Sequence, residues 1–504
     1  MSNIDSAKIK IVKFGRRGAS VQHARPHSEI PSEHLILGPN RTSLWMTASA
    51  LIVSDIVGIL LAWCIAFFVR DLYGGLLNLD IYLRLWPALM LFVFANALAR
   101  LYPGTNFLPP EEMRRMFYTT TSVFLILAVA LFLTKGGDLY SRTTFLAAWG
   151  LALIAVPLMR KFMRVLFGKQ GWWGQAIVIL GAGETGRTVI QVLRDWPSMG
   201  LKPIVMLDDN PAKRGELLGV PVIGPLDLAP EIGRKLGIQR AVIAMPGVAR
   251  EKLLKLVETH SHSFPHLLIV PDLFGFSSLW VDARDLGGVL GLELRQNLML
   301  KSRRFMKRFL DLALILSTAV VSIPLMLVIA LLIKLTSSGP VLFGHARIGR
   351  GGECFKAWKF RSMCHNAEEI LQDYLGKHPE LRAEWARDHK LKDDPRVTWI
   401  GKVLRRTSLD ELPQLWNILV GEMSLVGPRP IVAAEIPKYG DSFELYSKVR
   451  PGLTGLWQVS GRNNTSYDRR VVLDAYYVRN WSGWLDIYIL ARTIRVVLVG
   501  KGAY

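Results

Sequence analysis

Residues 301–333 read KSRRFMKRFLDLALILSTAVVSIPLMLVIALLI, and this segment sets how the chain meets a membrane. Five basic residues within Lys301–Arg308 lead into Leu312–Ile333, twenty-two residues without a charge. Such a run is long enough to cross a hydrocarbon core of about 30 Å at about 1.5 Å per residue. The sequence therefore predicts a membrane helix over about residues 309–335.

Two features of this run favour a helix that enters the bilayer and returns to the same face. Both flanks are basic, with Lys334, Arg347 and Arg350 on the far side, whereas a full crossing shows an asymmetry of positive charge. Pro324 lies mid-run, where it removes a backbone hydrogen bond and bends a helix. We expect a re-entrant helix broken at Pro324, with a kinked ordinary span as the alternative.

Four further apolar runs come earlier, and each is long enough, or nearly so, for a membrane crossing. They lie near residues 43–69, 81–99, 116–134 and 143–159. Most basic residues fall before the first run, in the second connection and after the fourth run, so the positive-inside rule places both ends of this bundle in the cytoplasm. We predict a disordered, basic cytoplasmic tail over residues 1–42 and a four-helix transmembrane bundle over residues 43–168.

Asp55 is the one acidic residue inside these four runs. An ionisable side chain at membrane depth can mark a functional site. A hydrogen bond between helices is the simpler role, and we expect that role for Asp55.

The whole chain is strongly basic, with 62 Lys+Arg against 41 Asp+Glu and a formal net charge of +21. Half of its residues are hydrophobic, and no zinc-finger, RNP-type or helix-turn-helix pattern is evident. The charge therefore favours anionic lipid head groups and phosphorylated substrates over nucleic acid. The three cysteines, Cys64, Cys354 and Cys364, form no disulfide framework or zinc pattern, which favours a catalytic part in a reducing cytosol.

Residues 170–295 have the pattern of a soluble α/β domain. Gln175–Leu180 (QAIVIL) predicts a buried strand, and Gly181-Ala-Gly183-Glu-Thr-Gly186 follows directly. A later helix and two strands are predicted at Arg187–Asp195, Pro203–Leu207 and Arg240–Ala244. This strand–turn–helix order indicates a Rossmann-like fold. Asp208 and Asp209 lie near the position of a ribose-binding acid, but no Tyr-x-x-x-Lys pair for hydride chemistry accompanies them, so we expect the fold without a working cofactor.

The segment Thr407-Ser-Leu-Asp410-Glu411-Leu-Pro413 predicts the start of a helix in the last third of the chain. Proline is tolerated in the first turn, and Ser408 and Glu411 have the spacing of a capping box. Both carboxylates would then lie at the positive end of a helix dipole. Such a pair is commonly only a cap, but arginines and lysines between Gly/Pro turns surround it in the sequence and suit phosphate contacts, with lipid phosphates as the alternative partner.

Five motifs in order carry a resemblance to the bacterial sugar transferases known as monotopic polyprenyl-phosphate hexose-1-phosphate transferases. They are Lys359-Phe-Arg361-Ser-Met, Leu391-Lys-Asp-Asp394-Pro-Arg396, Thr407-Ser-Leu-Asp410-Glu411-Leu-Pro-Gln, Met423-Ser-Leu-Val-Gly-Pro-Arg429-Pro and Pro451-Gly-Leu-Thr-Gly-Leu-Trp-Gln458-Val-Ser-Gly-Arg462-Asn. The resemblance covers about residues 301–504, and the layout of the chain is similar to that of the family's long subclass. It implies a mainly helical, monotopic catalytic domain over residues 301–504.

The resemblance implies a two-step transfer. Asp410 would attack the β-phosphate of a UDP-sugar, release UMP and hold the hexose phosphate until undecaprenyl phosphate accepts it. Glu411 would be the second member of the catalytic dyad, and Mg²⁺ would be the metal, with Asp410 as its ligand. The motif residues assigned to substrate binding are Lys359, Arg361, Arg396, Arg429, Gln458 and Arg462. Galactose is the favoured hexose, and glucose is the alternative.

One position departs from the family pattern. The family's re-entrant helix usually breaks at Ser-Pro, whereas here Pro324 follows Ile323, with Ser322 one place earlier. The proline still favours the re-entrant interpretation. However, no serine directly precedes it, where a hydroxyl could hydrogen-bond the backbone carbonyl that proline leaves without a partner.

Two other functions remain as alternatives. One is an NAD-dependent enzyme that modifies nucleotide sugars on the Gly181 domain, with the rest of the chain as membrane anchor. The other is a non-enzymatic platform for polysaccharide assembly, for which Asp410 would be dispensable. The large additional domains also lead us to expect a homodimer.

Overall fold

The computed structural model describes residues 42–73, 86–105, 107–133, 141–271, 281–285, 290–294, 298, 300–364, 366–378, 394–460 and 466–499. These residues belong to two compact units. An α/β unit contains residues 176–190 and 203–270, and a second unit contains residues 42–175, 191–202 and the described residues from 271 onward. Residues 1–41 of the predicted cytoplasmic tail lie outside the described residues.

Apolar helices make up the first part of the second unit: α1 Leu44–Leu72, α2 Trp86–Leu98, α3 Pro109–Leu133 and α4 Arg142–Phe167. Within the described residues, α1, α3, α4 and a later helix at Lys301–Thr336 are each long and apolar enough to cross a membrane. The chain is thus a membrane protein. Helix α2 accounts for 13 residues of the predicted run at 81–99, which corresponds to about 20 Å of helix.

A buried ionic network joins the helices of this bundle. Arg160 of α4 is fully buried, and its Nε and Nη2 donate to the two carboxylate oxygens of Asp55 on α1, each at 2.6 Å. Its Nη1 donates to Glu112 of α3 at 3.0 Å. Arg164 donates to both carboxylate oxygens of Glu112 at 2.5 and 2.7 Å, and Asn96 of α2 donates to Asp55 at 2.9 Å. Hydrogen bonds and ion pairs of this network therefore link all four helices, α1, α2, α3 and α4.

This network refines two expectations from the sequence. Asp55 does make hydrogen bonds between helices, as predicted, but its main partner is a charged guanidinium. From the sequence, Arg160 is one of the basic residues that follow the fourth apolar run. The structure places its side chain inside the bundle with no exposed surface. Its burial follows from the two carboxylates that satisfy it, because an unpaired charge would be strongly destabilising there.

The α/β unit is built on a six-stranded sheet in the order β3-β4-β2-β1-β5-β6. Strands β1 and β5, β5 and β6, and β2 and β4 pair in parallel, and β3 is antiparallel to β4. All six residues of β1 are buried, as the apolar run after Gln175 predicts for a central parallel strand. The elements are β1 Gln175–Leu180, α5 Glu184–Asp195, β2 Leu201–Leu207, β3 Gly215–Leu217, β4 Val220–Gly224, α6 Ala229–Leu236, β5 Arg240–Ile243, α7 Arg250–Ser261 and β6 His266–Ile269.

The remaining elements belong to the second unit. Strands β7 Val281–Asp285 and β8 Leu290–Leu294 form an antiparallel pair, as do β9 Leu342–Ile348 and β10 Cys354–Phe360, while β11 Ser424–Val426 and β12 Gly452–Thr454 are parallel. The helices are α8 Lys301–Thr336, α9 Ala367–Lys377, α10 Trp399–Thr407, α11 Gln414–Val420, α12 Ile436–Tyr439, α13 Ser442–Ser447, α14 Leu456–Ser460, α15 Tyr467–Arg479 and α16 Gly483–Val499. We call the part from β9 onward the C-terminal body.

The first half of α8 is held to the C-terminal body by a buried polar cluster. The ammonium of Lys307 lies 2.8 Å from a carboxylate oxygen of Asp486 and 3.4 Å from one of Asp311. Ser424 donates to the other Asp311 oxygen at 2.7 Å, and the Tyr477 hydroxyl donates to Asp486 at 2.8 Å. These bonds connect α8 with β11, α15 and α16.

The second half of α8 contacts the same body through apolar side chains. Ile329 and Ile333 are buried against Phe360, Ile400 and Leu404. Between the two attached halves lies an exposed apolar stretch in which Leu316, Val320, Val321 and Leu327 are 66–82% exposed. Helix α8 runs as one helix from Lys301 to Thr336 with Pro324 inside it, so the break expected at Pro324 does not interrupt the helix.

Replacing Arg160 with leucine tests the bundle network. The variant leaves the carboxylates of Asp55 and Glu112 without their shared cation, and breaking a buried pair in this way costs about 3–5 kcal/mol. We expect a much lower midpoint of thermal unfolding in detergent. The control is Arg114→Leu on α3, since Arg114 is 38% exposed and pairs with Glu111 at the surface, where a pair contributes about 0–1 kcal/mol. Equal midpoints for the two variants would contradict the role given to Arg160.

Candidate active site

The acidic pair lies beside one lysine of the hairpin formed by β9 and β10. Asp410 and Glu411 lie in a 3₁₀ turn, Leu409–Glu411, and Lys359 lies near the end of β10. The Lys359 ammonium donates to Glu411 Oε1 at 2.6 Å and lies 3.7 Å from Asp410 Oδ2. The Asp410 side chain is only 14% exposed. Two carboxylates thus share one cation in a partly buried site.

A buried amide fixes the distance between this turn and β10. Asn417 of α11 has no exposed surface, and its Oδ1 accepts the backbone N–H of Trp358 at 3.0 Å. Its Nδ2 donates to the carbonyl of Lys356 at 2.8 Å and to Glu422 at 2.6 Å. Because α11 follows the acidic turn directly, these bonds hold Lys359 opposite the dyad.

Apolar contacts fix the same turn to the membrane helix. Leu409 and Leu412 flank the acidic pair, and both pack against the cluster that contains Ile329 and Ile333 of α8. The dyad is therefore attached to the second half of the membrane helix through residues directly adjacent to it in sequence.

The predicted capping box is wrong. Ser408 has a φ of 58°, and its backbone N–H bonds to the carbonyl of Arg405, so it closes α10 as a left-handed C-cap. Its side chain makes no capping hydrogen bond to the following turn. Asp410 and Glu411 consequently lie in a separate 3₁₀ turn before α11, rather than in the first turn of an α-helix.

The two carboxyl groups have opposite electrostatic environments. Burial raises the pKa of Asp410, and the negative charge of Glu411 raises it further, while Lys359 and Arg405 act in the opposite direction. Burial also favours the neutral form of Glu411, but Lys359, Arg429 and Arg347 outweigh burial and lower the pKa of Glu411. Glu411 is thus held as an anion, and Asp410 is the more easily protonated member of the pair.

Arg347 is a site residue that the sequence gives no reason to select. It lies on β9, and its charge interacts with those of Glu411 and Arg429. Burial and the nearby Arg429 charge lower the pKa of Arg347, as expected for two cations held close together. In the sequence it is one of several basic residues after the membrane run, and only the fold of the hairpin reveals its position.

The loop that carries Arg429 is positioned by a buried acid. Asp474 of α15 accepts a hydrogen bond from the Tyr439 hydroxyl at 2.8 Å and another from the backbone N–H of Arg429. Burial raises the pKa of Asp474 to about 8. The guanidinium of Arg429 lies over the ring of Trp457, 5.6 Å from its centroid.

The other predicted binding residues occupy different surroundings. Arg361 donates through Nη2 to the carbonyl and hydroxyl of Ser337 at the end of α8, while its Nε and Nη1 are buried without a hydrogen-bond partner among the described residues. Arg396 is buried and forms a bidentate ion pair with Asp394 at 2.8 and 2.7 Å. Gln458 lies on α14, and its Oε1 is buried with no partner in the described part of the chain. Arg462 lies outside the described residues.

Comparison with known proteins decides the family. The model for bacterial sugar transferases matches residues 302–500. An undecaprenyl-phosphate galactose phosphotransferase from Salmonella typhimurium is 40% identical to this chain over 397 residues, which cover 78% of this chain and 82% of that protein. The chain belongs to the bacterial sugar transferase family.

Other members of the sugar transferase family show further similarity. An exopolysaccharide production protein, ExoY, from Rhizobium meliloti is 49% identical over 36% of this chain and 80% of its own length. A UDP-glucose:undecaprenyl-phosphate glucose-1-phosphate transferase from Escherichia coli is 32% identical over 71% of this chain and 76% of its own length. In this sugar transferase a second model, that of a CoA-binding domain, matches residues 109–271.

Lys359→Met tests the electrostatics of the sugar transferase site. Because Lys359 lowers the pKa of both acids, its loss should move the protonation of Asp410 to higher pH. Carbodiimides react with protonated carboxyl groups, so mass spectrometry of the peptide containing Asp410, labelled across a pH series, reports this shift. Lys356→Met is the control, since Lys356 is exposed and three residues away on the same strand. An unchanged labelling midpoint in Lys359→Met would contradict the conclusion that Lys359 lowers the pKa of Asp410.

Proposed function

We propose that this chain transfers hexose-1-phosphate from a UDP-sugar to undecaprenyl phosphate and releases UMP, as the first membrane step of O-antigen, capsule or exopolysaccharide synthesis. The observation that carries the proposal is the partly buried Asp410–Glu411 pair, which shares Lys359 and is flanked by leucines that pack on the same apolar cluster as the membrane helix α8. The activities for which the relatives are named support the reaction class. Galactose is the proposed hexose, because the relative named for it is the more similar, and glucose is the alternative.

In the first step of the proposed reaction, a carboxylate oxygen of Asp410 attacks the β-phosphorus of the UDP-sugar. The bond between that phosphorus and the bridging oxygen breaks, and the electron pair leaves with UMP. The product is an acyl phosphate that links Asp410 to the hexose. A carboxylate is a suitable covalent nucleophile for this chemistry, and the low exposure of Asp410 limits hydrolysis of the intermediate.

In the second step, a phosphate oxygen of undecaprenyl phosphate attacks the same phosphorus. The bond to Asp410 breaks, the free carboxylate returns, and the product is undecaprenyl-diphospho-hexose. The packing of Leu409 and Leu412 on the apolar cluster that includes Ile329 and Ile333 of α8 supports this step, since Asp410 lies between these two leucines in sequence. A lipid acceptor can then reach the dyad without leaving the membrane.

The cations around the dyad suit a diphosphate. Arg347 and Arg429 lie near Glu411 in spite of their mutual repulsion, and an added anion would relieve that repulsion. Lys359 lies near both acids, so its ammonium can stay close to the negative charge as that charge passes from Asp410 to the phosphate oxygens. Arg361 has two buried donor nitrogens without a hydrogen-bond partner among the described residues, and we assign it to substrate binding on the family motif that contains it. These side chains would orient the donor and balance the charge that develops on UMP.

Mg²⁺ is part of this proposal. The described residues contain no group of three or more His, Cys, Asp or Glu side chains that could hold a metal. Mg²⁺ nevertheless fits the dyad, because it is often bound through one or two carboxylates together with substrate phosphates and water. Asp410 and Glu411 would hold it, and the bound ion would neutralise charge on the diphosphate. The lowered pKa of Glu411 suits a metal ligand better than a proton donor.

We also propose that α8 is re-entrant and that the C-terminal body lies on the cytoplasmic face of the bacterial inner membrane. Support comes from the two attachments of α8 to one body, through Lys307 on one side and Ile333 on the other, with Pro324 in the exposed apolar stretch between them. The basic residues on both flanks favour the cytoplasmic side.

A single-turnover experiment tests the covalent step. Enzyme given UDP-galactose and Mg²⁺ without lipid should release at most one UMP per active site, apart from slow hydrolysis. The peptide containing Asp410 should gain the mass of one hexose phosphate. Asp410→Asn should abolish both signals because a carboxamide is a poor nucleophile. Glu411→Gln should slow UMP release by about 10²–10³-fold without moving the label.

Two results would contradict this mechanism. One is a hexose phosphate on any residue other than Asp410. The other is UMP release that requires undecaprenyl phosphate, which would indicate direct transfer between the two substrates. Repeating the reaction with UDP-glucose in place of UDP-galactose distinguishes the two donors by their rates of labelling.

Cysteine labelling tests the path of α8. Ser302 and Ser338 are exposed residues at its two ends, and each is changed to cysteine in a background that lacks the three native cysteines. We expect a membrane-impermeant thiol reagent to label both positions only from the cytoplasmic side. Labelling of Ser338→Cys from the periplasm alone would establish a full span.

A further inference from the structure

Arginines from three segments of the chain gather at the C-terminal end of α11. Arg304 and Arg308 lie on α8, Arg350 lies in the turn between β9 and β10, and Arg450 lies just before β12. A Cβ on Gly421, the residue after α11, would lie 3.6 Å from Arg450 Nη2 and 3.7 Å from Arg308 Nη2. The sum of these distances, 7.3 Å, is the upper limit for the separation of the two nitrogens. We call the four arginines the arginine cluster.

The charges of the arginine cluster act on one another. Burial lowers the pKa of Arg450, and the positive charges of Arg308, Arg350 and Arg304 lower it further, while Asp311 acts in the opposite direction. Asp311 is already engaged in the buried polar cluster of α8. Arg450 itself forms no side-chain hydrogen bond and no ion pair with the residues that the structure describes. The cluster therefore carries positive charge that the described part of the chain does not neutralise.

A structural role explains only one of these cations. Arg308 donates to the backbone carbonyls of Ile418 and Leu419, the latter at 2.8 Å, and so caps the C-terminal end of α11. Because one guanidinium satisfies both carbonyls, capping gives no reason for Arg450 to lie beside Arg308. Like charges held this close repel each other, and an anion between them would relieve the repulsion. The arrangement thus indicates a binding site for an anion.

The position of the cluster on α8 places it at the level of membrane head groups. Arg308 precedes the uncharged run Leu312–Ile333 by four residues, which corresponds to about 6 Å of helix. The polar layer on each side of a bilayer is about 5–7 Å thick. A guanidinium at this position therefore lies among lipid phosphates, whether α8 crosses the bilayer or returns to the same face.

Exposed apolar side chains border the arginines. On α8, Phe305 and Phe309 are 75% and 63% exposed, and at the end of α11 Val420 is 52% exposed. A ligand that covers both surfaces needs an anionic group and a hydrocarbon part. A phospholipid has both, and free phosphate has only the first.

The dyad lies at the other end of α11. Asp410 and Glu411 precede this helix, whereas the arginine cluster follows its last residue, and the seven residues between span about 10 Å. A lipid phosphate bound by Arg450 is therefore separated from the proposed nucleophile. This separation favours a phospholipid of the surrounding bilayer over the lipid acceptor as the occupant of the cluster.

We propose that the arginine cluster binds the phosphate of an anionic phospholipid, whose acyl chains lie along the exposed apolar face of α8. Guanidinium groups match phosphate oxygens in bidentate geometry. A zwitterionic lipid would bring a second cation into the cluster, so a lipid with net negative charge binds more tightly. The bound lipid joins α8, the β9–β10 turn and the end of α11 at one point. Binding does not require the transferase reaction.

Native mass spectrometry of the full-length protein in detergent tests this site. Phosphatidylglycerol and phosphatidylcholine are added separately at micromolar concentration, and the affinity of the first bound lipid is measured for each. We expect phosphatidylglycerol to bind at least tenfold more tightly. The double variant Arg350→Gln/Arg450→Gln should reduce that affinity at least tenfold, because two of the four cations are lost.

The matched control is Lys377→Gln/Lys448→Gln, which also removes two positive charges from the C-terminal body. Both lysines are exposed and pair with acids one helical turn away, at Asp373 and Glu444. This control should bind phosphatidylglycerol as the unchanged protein does. If the double arginine variant does not fold, Arg350→Gln alone carries the test, since Arg350 is exposed.

Competition experiments distinguish the sources of the phosphate. Glycerol 3-phosphate at the same concentration should not displace phosphatidylglycerol, and displacement would indicate a site for free phosphate. Tighter binding of undecaprenyl phosphate at the cluster would assign it to the acceptor and overturn the proposal. Equal affinities for the two phospholipids, undiminished binding in the double arginine variant or an equal loss in the lysine control would also overturn it. The measurement needs no UDP-sugar, so these outcomes are independent of the proposed reaction at the dyad.

Discussion

The arrangement of the C-terminal body depends on the buried ion pairs that the Lys307 ammonium forms with two aspartates. It lies between Asp311 of its own helix and Asp486 of α16, and removing one partner of such a buried pair costs about 3–5 kcal/mol. The first half of α8 is thereby fixed to the body. The second half is fixed by apolar packing on the turn that carries the dyad. The position of the dyad relative to the membrane helix follows from these two attachments together.

The dyad itself shows how one cation can give two like groups different properties. Lys359 contacts both acids, but it lies closer to Glu411, which Arg347 and Arg429 also stabilise as an anion. Asp410 receives less compensation for its burial, and its pKa is raised. A carboxylate that is poorly stabilised by its surroundings is a stronger nucleophile than one held by several cations. The same arrangement thus supports the proposal that Asp410 is the attacking group while Glu411 remains an anion.

The sequence predicted the elements whose signals are local. Strand β1 has its predicted bounds, and the long apolar runs near the N-terminus correspond to helices α1, α3 and α4. Local rules failed at Ser408, where the end of α10 takes the residue that a capping box would need. Local rules also could not predict that Lys359 contacts Glu411, which lies about fifty positions later in the chain. Before the structure, only the family resemblance assigned both residues to one site. Arg160 and Arg347 depend on partners from other elements, so no pattern around either residue reveals its role.

The shared charges of Arg160, Asp55 and Glu112 also constrain the biogenesis of the bundle. Synthesis delivers α1 and α3 to the bilayer before α4, so both carboxylates arrive without their cation. Each unpaired charge at membrane depth costs about 2.5–3.5 kcal/mol by insertion measurements. Helix α4 brings in two guanidinium groups, those of Arg160 and Arg164, which balance the two carboxylates. A chain interrupted before α4 would therefore leave Asp55, inside the first apolar helix, and Glu112, in the first turn of α3, without the cations that the complete bundle supplies.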